Sequence, residues 1–255
     1  MLPLEPGTAG PMLQSLGAAL PRPRAIVAMS PHWMARRLRV GAHPRPATVH
    51  DFAGFDPALG ALRYAAPGDP ELAGEVADLL RKHGWDADVD PSRGLDHGIW
   101  VPLSLSHPQA DIPVVPLAMP WPLAPSLAWE LGHALRPLSE QDVLVLGTGS
   151  ATHNLHDFHP AARTDDAPDP YVVAFVEWLD DALHAGDLAA LFDYRRRAPH
   201  AARAHPTDEH LMPLFFALGA GGGPAHRHHG GVHYGMLSMD AWTFGAASPD
   251  LRRPG

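Results

Sequence analysis

Four histidines in this chain stand where a regular element begins or ends, and imidazole there is well suited to metal binding and to proton transfer near neutral pH. His32 closes the run AIVAMSPHW (25–33), and His153 follows DVLVLG (142–147) and the turn Thr148, Gly149, Ser150. His97 lies in RGLDHG (93–98), His210 in PTDEH (206–210), and His50 in a long loop. Imidazole suits Fe(II), Zn and Cu, and ligands far apart in sequence converge when each sits at a strand or helix terminus. Taken singly, each of these histidines reads first as a hydrogen-bonded structural or surface residue. Phe52, Phe55 and Trp100 are candidates for stacking on an aromatic ligand or for the core. Asp51 and Asp96 either orient imidazoles or cap turns. His226, His228 and His229 read as an exposed irregular loop whose neighbouring side chains point in different directions, so they are left out of the site.

The elements that must position these residues follow from apolar patterning. Residues 25–29, with β-branched Ile26 and Val27, read as a buried parallel strand ending in a loop, and 142–147 repeats the plan. Ligands of open α/β sheets sit at the carboxyl ends of the strands. If these two strands are neighbours, both imidazoles face one crevice.

After an opening Pro/Gly-rich loop, apolar Met12, Leu13, Leu16, Ala19 and Leu20 have helical spacing, with Thr8 as cap and Pro11 in the first turn, and a short strand is expected over 39–42. Residues 43–68 form a long irregular region of the kind that is often functional. Asp69 caps a helix that has Pro70 at its first position and Gly84 as its stop. A short helix over 99–105 and a strand over 112–117 come next. Helices follow over 123–138 (apolar Leu127, Leu131, Leu135), 170–184 and 188–192. Thr207 is expected to cap a buried helix ending near 219 with His210 in its first turn, and 232–244 to form a last strand. This order predicts an α/β, three-layer fold, a mostly parallel or mixed central sheet with helices on both faces, in one domain over 1–255.

Composition narrows the function. The net charge is −9, from 19 Lys+Arg against 28 Asp+Glu, and only the short run Arg195, Arg196, Arg197 is basic. No nucleic-acid or membrane partner is therefore expected. With no cysteine, any metal must be held by nitrogen and oxygen ligands. No apolar run reaches the ~20 residues of a membrane span, and no signal-peptide pattern opens the chain, so cytoplasmic residence is the default expectation. No zincin, nucleophile-elbow, phosphate-loop or dinucleotide-binding motif occurs.

The motifs SPHW (30–33), HDFAGF (50–55), YAAPGDPELA (64–73), RGLDHGIWVPL (93–103), ADIPVV (110–115), GTGSATHNL (147–155) and PTDEHLMPL (206–214) resemble, in order, those of the DOPA 4,5-dioxygenase type of class III extradiol ring-cleavage dioxygenases. The resemblance spans nearly the whole chain. It implies a non-haem Fe(II) centre, often found as Zn in isolated proteins, and opening of a catechol ring beside its hydroxyls with O2. On the matching positions it implies His32 and His210 as metal ligands. It makes His153 the third histidine at the metal and the acid/base group, and puts His97 against the substrate. A small aromatic diol and O2 are the implied partners, and a homodimer is left open.

In the family a first strand ends in His-Gly-Ser-Pro-Met, whose histidine is a metal ligand, and Met1 stands at that closing Met. The expectation is a natural start upstream that supplies the strand and its histidine. The alternatives are a catalytically silent relative that binds metal or an aromatic, and a zinc hydrolase on the same scaffold.

Overall fold

The computed structural model describes residues 2–52, 56–159 and 161–245. In chain order its helices are α1 (Ala9–Ala19), α2 (Ala58–Ala61), α3 (Pro70–Lys82), α4 (His97–Ser106), α5 (Pro125–Ala134), α6 (Pro170–Ala185), α7 (Leu188–Phe192), α8 (Tyr194–Arg197), α9 (Ala201–Ala204) and α10 (Met212–Gly221). Its strands are β1 (Ala25–Ala35), β2 (Leu38–Gly41), β3 (Ala87–Asp90), β4 (Val114–Pro120), β5 (Val143–Gly147), β6 (Ala225–His228), β7 (Val232–His233), β8 (Leu237–Ser238) and β9 (Ala241–Phe244). They fall into two compact units. Of the described residues, one unit takes those within 22–149 and 212–221, the other those within 2–21, 150–211 and 222–245.

The first unit is built on a five-stranded sheet in the order β3-β2-β4-β1-β5. β1 runs parallel to β4 and to β5, β2 runs parallel to β3, and β2 meets β4 antiparallel. The sheet is therefore mixed, and the two strands that lead towards His32 and His153 are neighbours. Residues 25–30 are buried without alternation because both faces of β1 are covered. Ile26 and Ala28 pack with Leu95, Ile99, Trp100 and Leu103, and Leu144 and Leu146 of β5 join that cluster, which puts α4 on this face. Gly147 points the other way along β5. A Cβ there would collide with the Pro213 carbonyl of α10, so α10 lies against the opposite face, and α5 packs along it. Helices on both faces of a sheet make the three layers expected from the sequence.

Asp69 accepts a hydrogen bond from Leu72 N (3.0 Å) at the start of α3, whose buried stripe is Leu72, Val76 and Leu80. Gly84, at φ +84°, takes the left-handed conformation just beyond the end of α3.

The second unit carries α1, α6 to α9 and two small two-stranded sheets, β6 with β9 and β7 with β8. Its core is the buried face of α6: Tyr171, Val172, Phe175, Val176 and Leu179. Among the described residues no helix is long and apolar enough to cross a membrane.

Several expectations are corrected. Thr8 precedes α1 but does not cap it, because its hydroxyl donates to the Gly230 carbonyl instead (2.5 Å). The helix expected over 123–138 ends at Ala134 and passes into a 3-10 turn over Arg136–Gln141. Pro137 has no N–H for the next helical bond, and its ring would crowd the carbonyl four residues back. The buried stripe of α5 runs through Ala128, Leu131 and Ala134, leaving Leu127 exposed. His210 lies before a helix rather than in its first turn. α10 begins at Met212 because Pro213 is tolerated only at a helix start, and Thr207 donates to Glu209 Oε1 (2.8 Å) instead of capping. The single last strand is divided into β7, β8 and β9, with left-handed Tyr234 and Gly235 turning the chain between β7 and β8. His226 and His228 lie in β6, not in an irregular loop, although His226 and His229 are exposed as expected.

Candidate active site

In the first unit the ladder between β1 and β4 pairs Met29 with Leu117 and resumes only at Met34 with Met119. Residues 30–33, the SPHW motif, thus bulge out opposite Ala118 alone. A bulge re-aims side chains at a strand end, and Pro31 has no N–H to lose from the ladder. The turned-out backbone is pinned by His32 N donating to Ser30 Oγ (3.2 Å) and by Arg93 Nη2 donating to the His32 carbonyl (3.3 Å). Arg93 also pairs with the fully buried Asp96 (3.1 Å) and lies 4.8 Å over the Trp33 ring.

The first turn of α4 descends onto this strand end. Gly98 permits the approach, since a Cβ there would collide with Ser30 Oγ and stand 2.8 Å from His32 Cδ2. The rings of His32 and His97 come to 3.9 Å between centroids. Asp51 Oδ1 accepts from both the backbone N (3.0 Å) and Nδ1 (2.9 Å) of His97, while Oδ2 stands 3.9 Å from His32 Nδ1. Burial pushes the Asp51 carboxyl up, but the two His97 donors outweigh it and hold it below its ordinary value.

One ligand atom from each of His32, Asp51 and His97 lies within 4.8 Å of the other two. Two imidazoles and a carboxylate are a donor set suited to Fe(II) or Zn. Because His97 occupies Asp51 Oδ1 with two donors, Asp51 acts here foremost as the holder of an imidazole. Asp96 does not contact a histidine ring through any of its hydrogen bonds; it partners Arg93.

Phe52 stands edge-on to His97 with centroids 5.4 Å apart and is half-buried. Trp100 is core: it is buried and its Nε1 donates to the Val49 carbonyl (3.0 Å). His50 Nε2 lies 3.0 Å from the Leu62 carbonyl, a structural contact. Phe55 lies outside the described residues.

In the second unit the structure brings His153 and His210 together. Their rings are stacked, 3.5 Å between centroids and 5° from parallel. His153 N donates to the Ala204 carbonyl (2.8 Å), and Ser150 N to the His210 carbonyl (3.0 Å). His210 Nδ1 lies 3.2 Å from Glu209 Oε1, an oxygen that also takes the Thr207 hydroxyl. The His210 contact chiefly, with help from Thr207, brings the Glu209 carboxyl down to about 2.

The PTDEH segment is anchored from α8. Asp208 accepts the Tyr194 hydroxyl and pairs with Arg195 (2.6 Å), which also donates to the His205 carbonyl. His205 is fully buried, with Nε2 on the Ala151 carbonyl (2.8 Å), and burial lowers its pKa to about 4.

Arg93, Arg195, Tyr194 and Glu209 escape a reading of the sequence. Arg195 shows there only as part of a basic run, and Tyr194 carries no spacing that points to Asp208. Glu209 is the exception with a signal, since a carboxylate beside a candidate ligand histidine is a natural partner for its second nitrogen.

The family model for the catalytic LigB subunit of aromatic ring-opening dioxygenase matches residues 12–243. The chain belongs to this family. It is 39% identical over 226 residues to the 4,5-DOPA dioxygenase extradiol of Beta vulgaris, which covers 88% of this chain and 83% of that one. It is 34% identical over 234 residues to the 4,5-DOPA dioxygenase extradiol of Escherichia coli K12, covering 89% and 84%. A crystal structure of an uncharacterized Escherichia coli K12 protein superposes with a TM-score of 0.76 at 30% identity, over 92% of each chain. All four histidines of the two clusters fall inside the LigB match.

Proposed function

We propose that this LigB-family chain is a metal-dependent extradiol dioxygenase that opens the ring of a catechol, a DOPA-like diol, with O2. What carries the reading is the LigB match across residues 12–243, which contains both histidine clusters, each held by its own carboxylate. His32 and His210 are assigned as metal ligands, with His153 as a third histidine at the metal and the acid/base group. Fe(II) is the catalytic metal of this reading and Zn an alternative occupant; the donors on offer are the nitrogen and oxygen types both accept.

Held by these residues, Fe(II) would supply the redox chemistry towards O2 that redox-silent Zn would not. The chain's own residues manage protons and orientation. His153 lies flat against His210, 3.5 Å between centroids, which supports a proton acceptor beside the assigned ligand. His153 then takes the proton from the second diol hydroxyl, a step worth about 10²–10⁴-fold in rate. His97, held by Asp51, meets the substrate, and the half-buried ring of Phe52 gives it an aromatic side wall.

The test is to load the chain anaerobically with Fe(II), add DOPA and air, and follow the visible spectrum. A yellow ring-opened product is expected. A colourless, unchanged diol beside stoichiometric bound iron would instead mark a silent relative.

A further inference from the structure

The loop carrying Asp51 and the helix starting at His97 meet through one oxygen. Asp51 Oδ1 accepts the backbone N–H of His97 at 3.0 Å and lies 2.9 Å from its Nδ1. A backbone N–H can only donate, so it fixes an accepting oxygen at that point. Nδ1 shares the same oxygen and must therefore carry the proton, which leaves the lone pair of the neutral ring on Nε2. The ring is confined on its other sides by His32, at 3.9 Å between centroids, and by the edge-on Phe52 at 5.4 Å.

We propose that Asp51 is a positioning residue of the ring-opening reaction: it locks His97 in the Nδ1–H tautomer and in one orientation, so that Nε2 meets the diol as a hydrogen-bond acceptor. The proposal rests on the extradiol reading above. It assigns Asp51 a task distinct from metal ligation, since both His97 donors converge on one of its oxygens while the other stands 3.9 Å from His32 Nδ1. It also separates two substitutions that remove the same charge. In Asp51→Asn the His97 backbone N–H still requires an oxygen opposite it, so the amide oxygen replaces Oδ1 and the amide nitrogen replaces Oδ2. The tautomer is then retained. In Asp51→Ala both acceptors are gone and the tautomer is released.

The experiment uses the full chain with 15N-labelled histidine and diamagnetic Zn(II), with His97 identified by the signals lost in His97→Gln. Long-range proton–nitrogen correlation reads the tautomer, and steady-state kinetics on the Fe(II)-loaded chain with DOPA reads turnover. Wild type and Asp51→Asn are expected to show a protonated Nδ1 and a lone-pair Nε2, and Asp51→Ala a mixture or the opposite tautomer. In Asp51→Ala kcat should fall about 10–100-fold with a smaller change in KM, as for other residues that orient a working imidazole, and Asp51→Asn should recover most of it. A His97 that keeps its Nδ1–H tautomer in Asp51→Ala, or a kcat that does not fall there, would overturn the proposal. A wild type that shows the tautomer pattern but turns over no diol would overturn the extradiol reading and leave the tautomer lock standing.

Discussion

The imidazole of His153 lies flat on that of His210, their centroids 3.5 Å apart and their planes 5° from parallel. Glu209 Oε1 stands 3.2 Å from His210 Nδ1, and the backbone N–H of His153 donates to the Ala204 carbonyl. A ring fixed by a carboxylate suits a ligand, and its neighbour suits a proton acceptor. His210→Ala and His32→Ala should each abolish metal retention, measured as metal per chain by elemental analysis. His153→Ala should keep most of the metal and lose about 10²–10⁴-fold in turnover. Equal metal loss in all three would make His153 a plain ligand.

Gly98 lets α4 reach the SPHW bulge. Gly98→Ala should displace the His32 ring through the added Cβ, 2.8 Å from its Cδ2, and cost about 1–3 kcal/mol as overpacking. Thermal unfolding and metal content report the two effects. Unchanged values in both would show that the strand end yields without consequence.

Much of this architecture is legible in the sequence because it follows from burial. β1 and β5 announce themselves as apolar runs, since strands covered on both faces need no alternation. Asp69, Pro70 and Gly84 bound α3 through purely local chemistry. The misreadings come from competing partners: Thr8 is drawn to the Gly230 carbonyl, 222 residues away, and Thr207 turns to the Glu209 side chain two residues on instead of to the backbone of a helix. At the candidate site, His32, His97, His153 and His210 are visible as residue types at element ends. The oxygen that orients His97 comes from 46 residues away, across a loop with no periodicity, and only the fold shows Asp51 on His97.

Asp208 ties the PTDEH segment to α8 through the Tyr194 hydroxyl and Arg195. Tyr194→Phe removes one hydrogen bond to a charged group, and a loss of about 1.5–3 kcal/mol is expected from urea denaturation. A variant as stable as wild type would mean that Arg195 alone anchors the segment.

His205 gives the fold a pH dependence of known sign. Its folded pKa, about 4, lies below the value of 6.5 for the exposed ring, so the unfolded chain binds a proton that the folded one refuses. The resulting stability is complete above pH 6.5 and is lost as the pH falls towards 4, to an extent on the order of 3 kcal/mol. Urea midpoints measured across that window should fall with pH in wild type and flatten in His205→Gln. The same slope in both would assign the effect to other groups.

The most direct test of the central claim is oxygen consumption by the Fe(II)-loaded chain in the presence of a catechol, followed with an oxygen electrode beside the loss of diol. One O2 consumed per diol opened, with Zn(II)-loaded chain inert, is the expected result. Turnover of an ester or amide without oxygen uptake and supported by Zn(II), or no uptake by a chain that retains its iron, would contradict it.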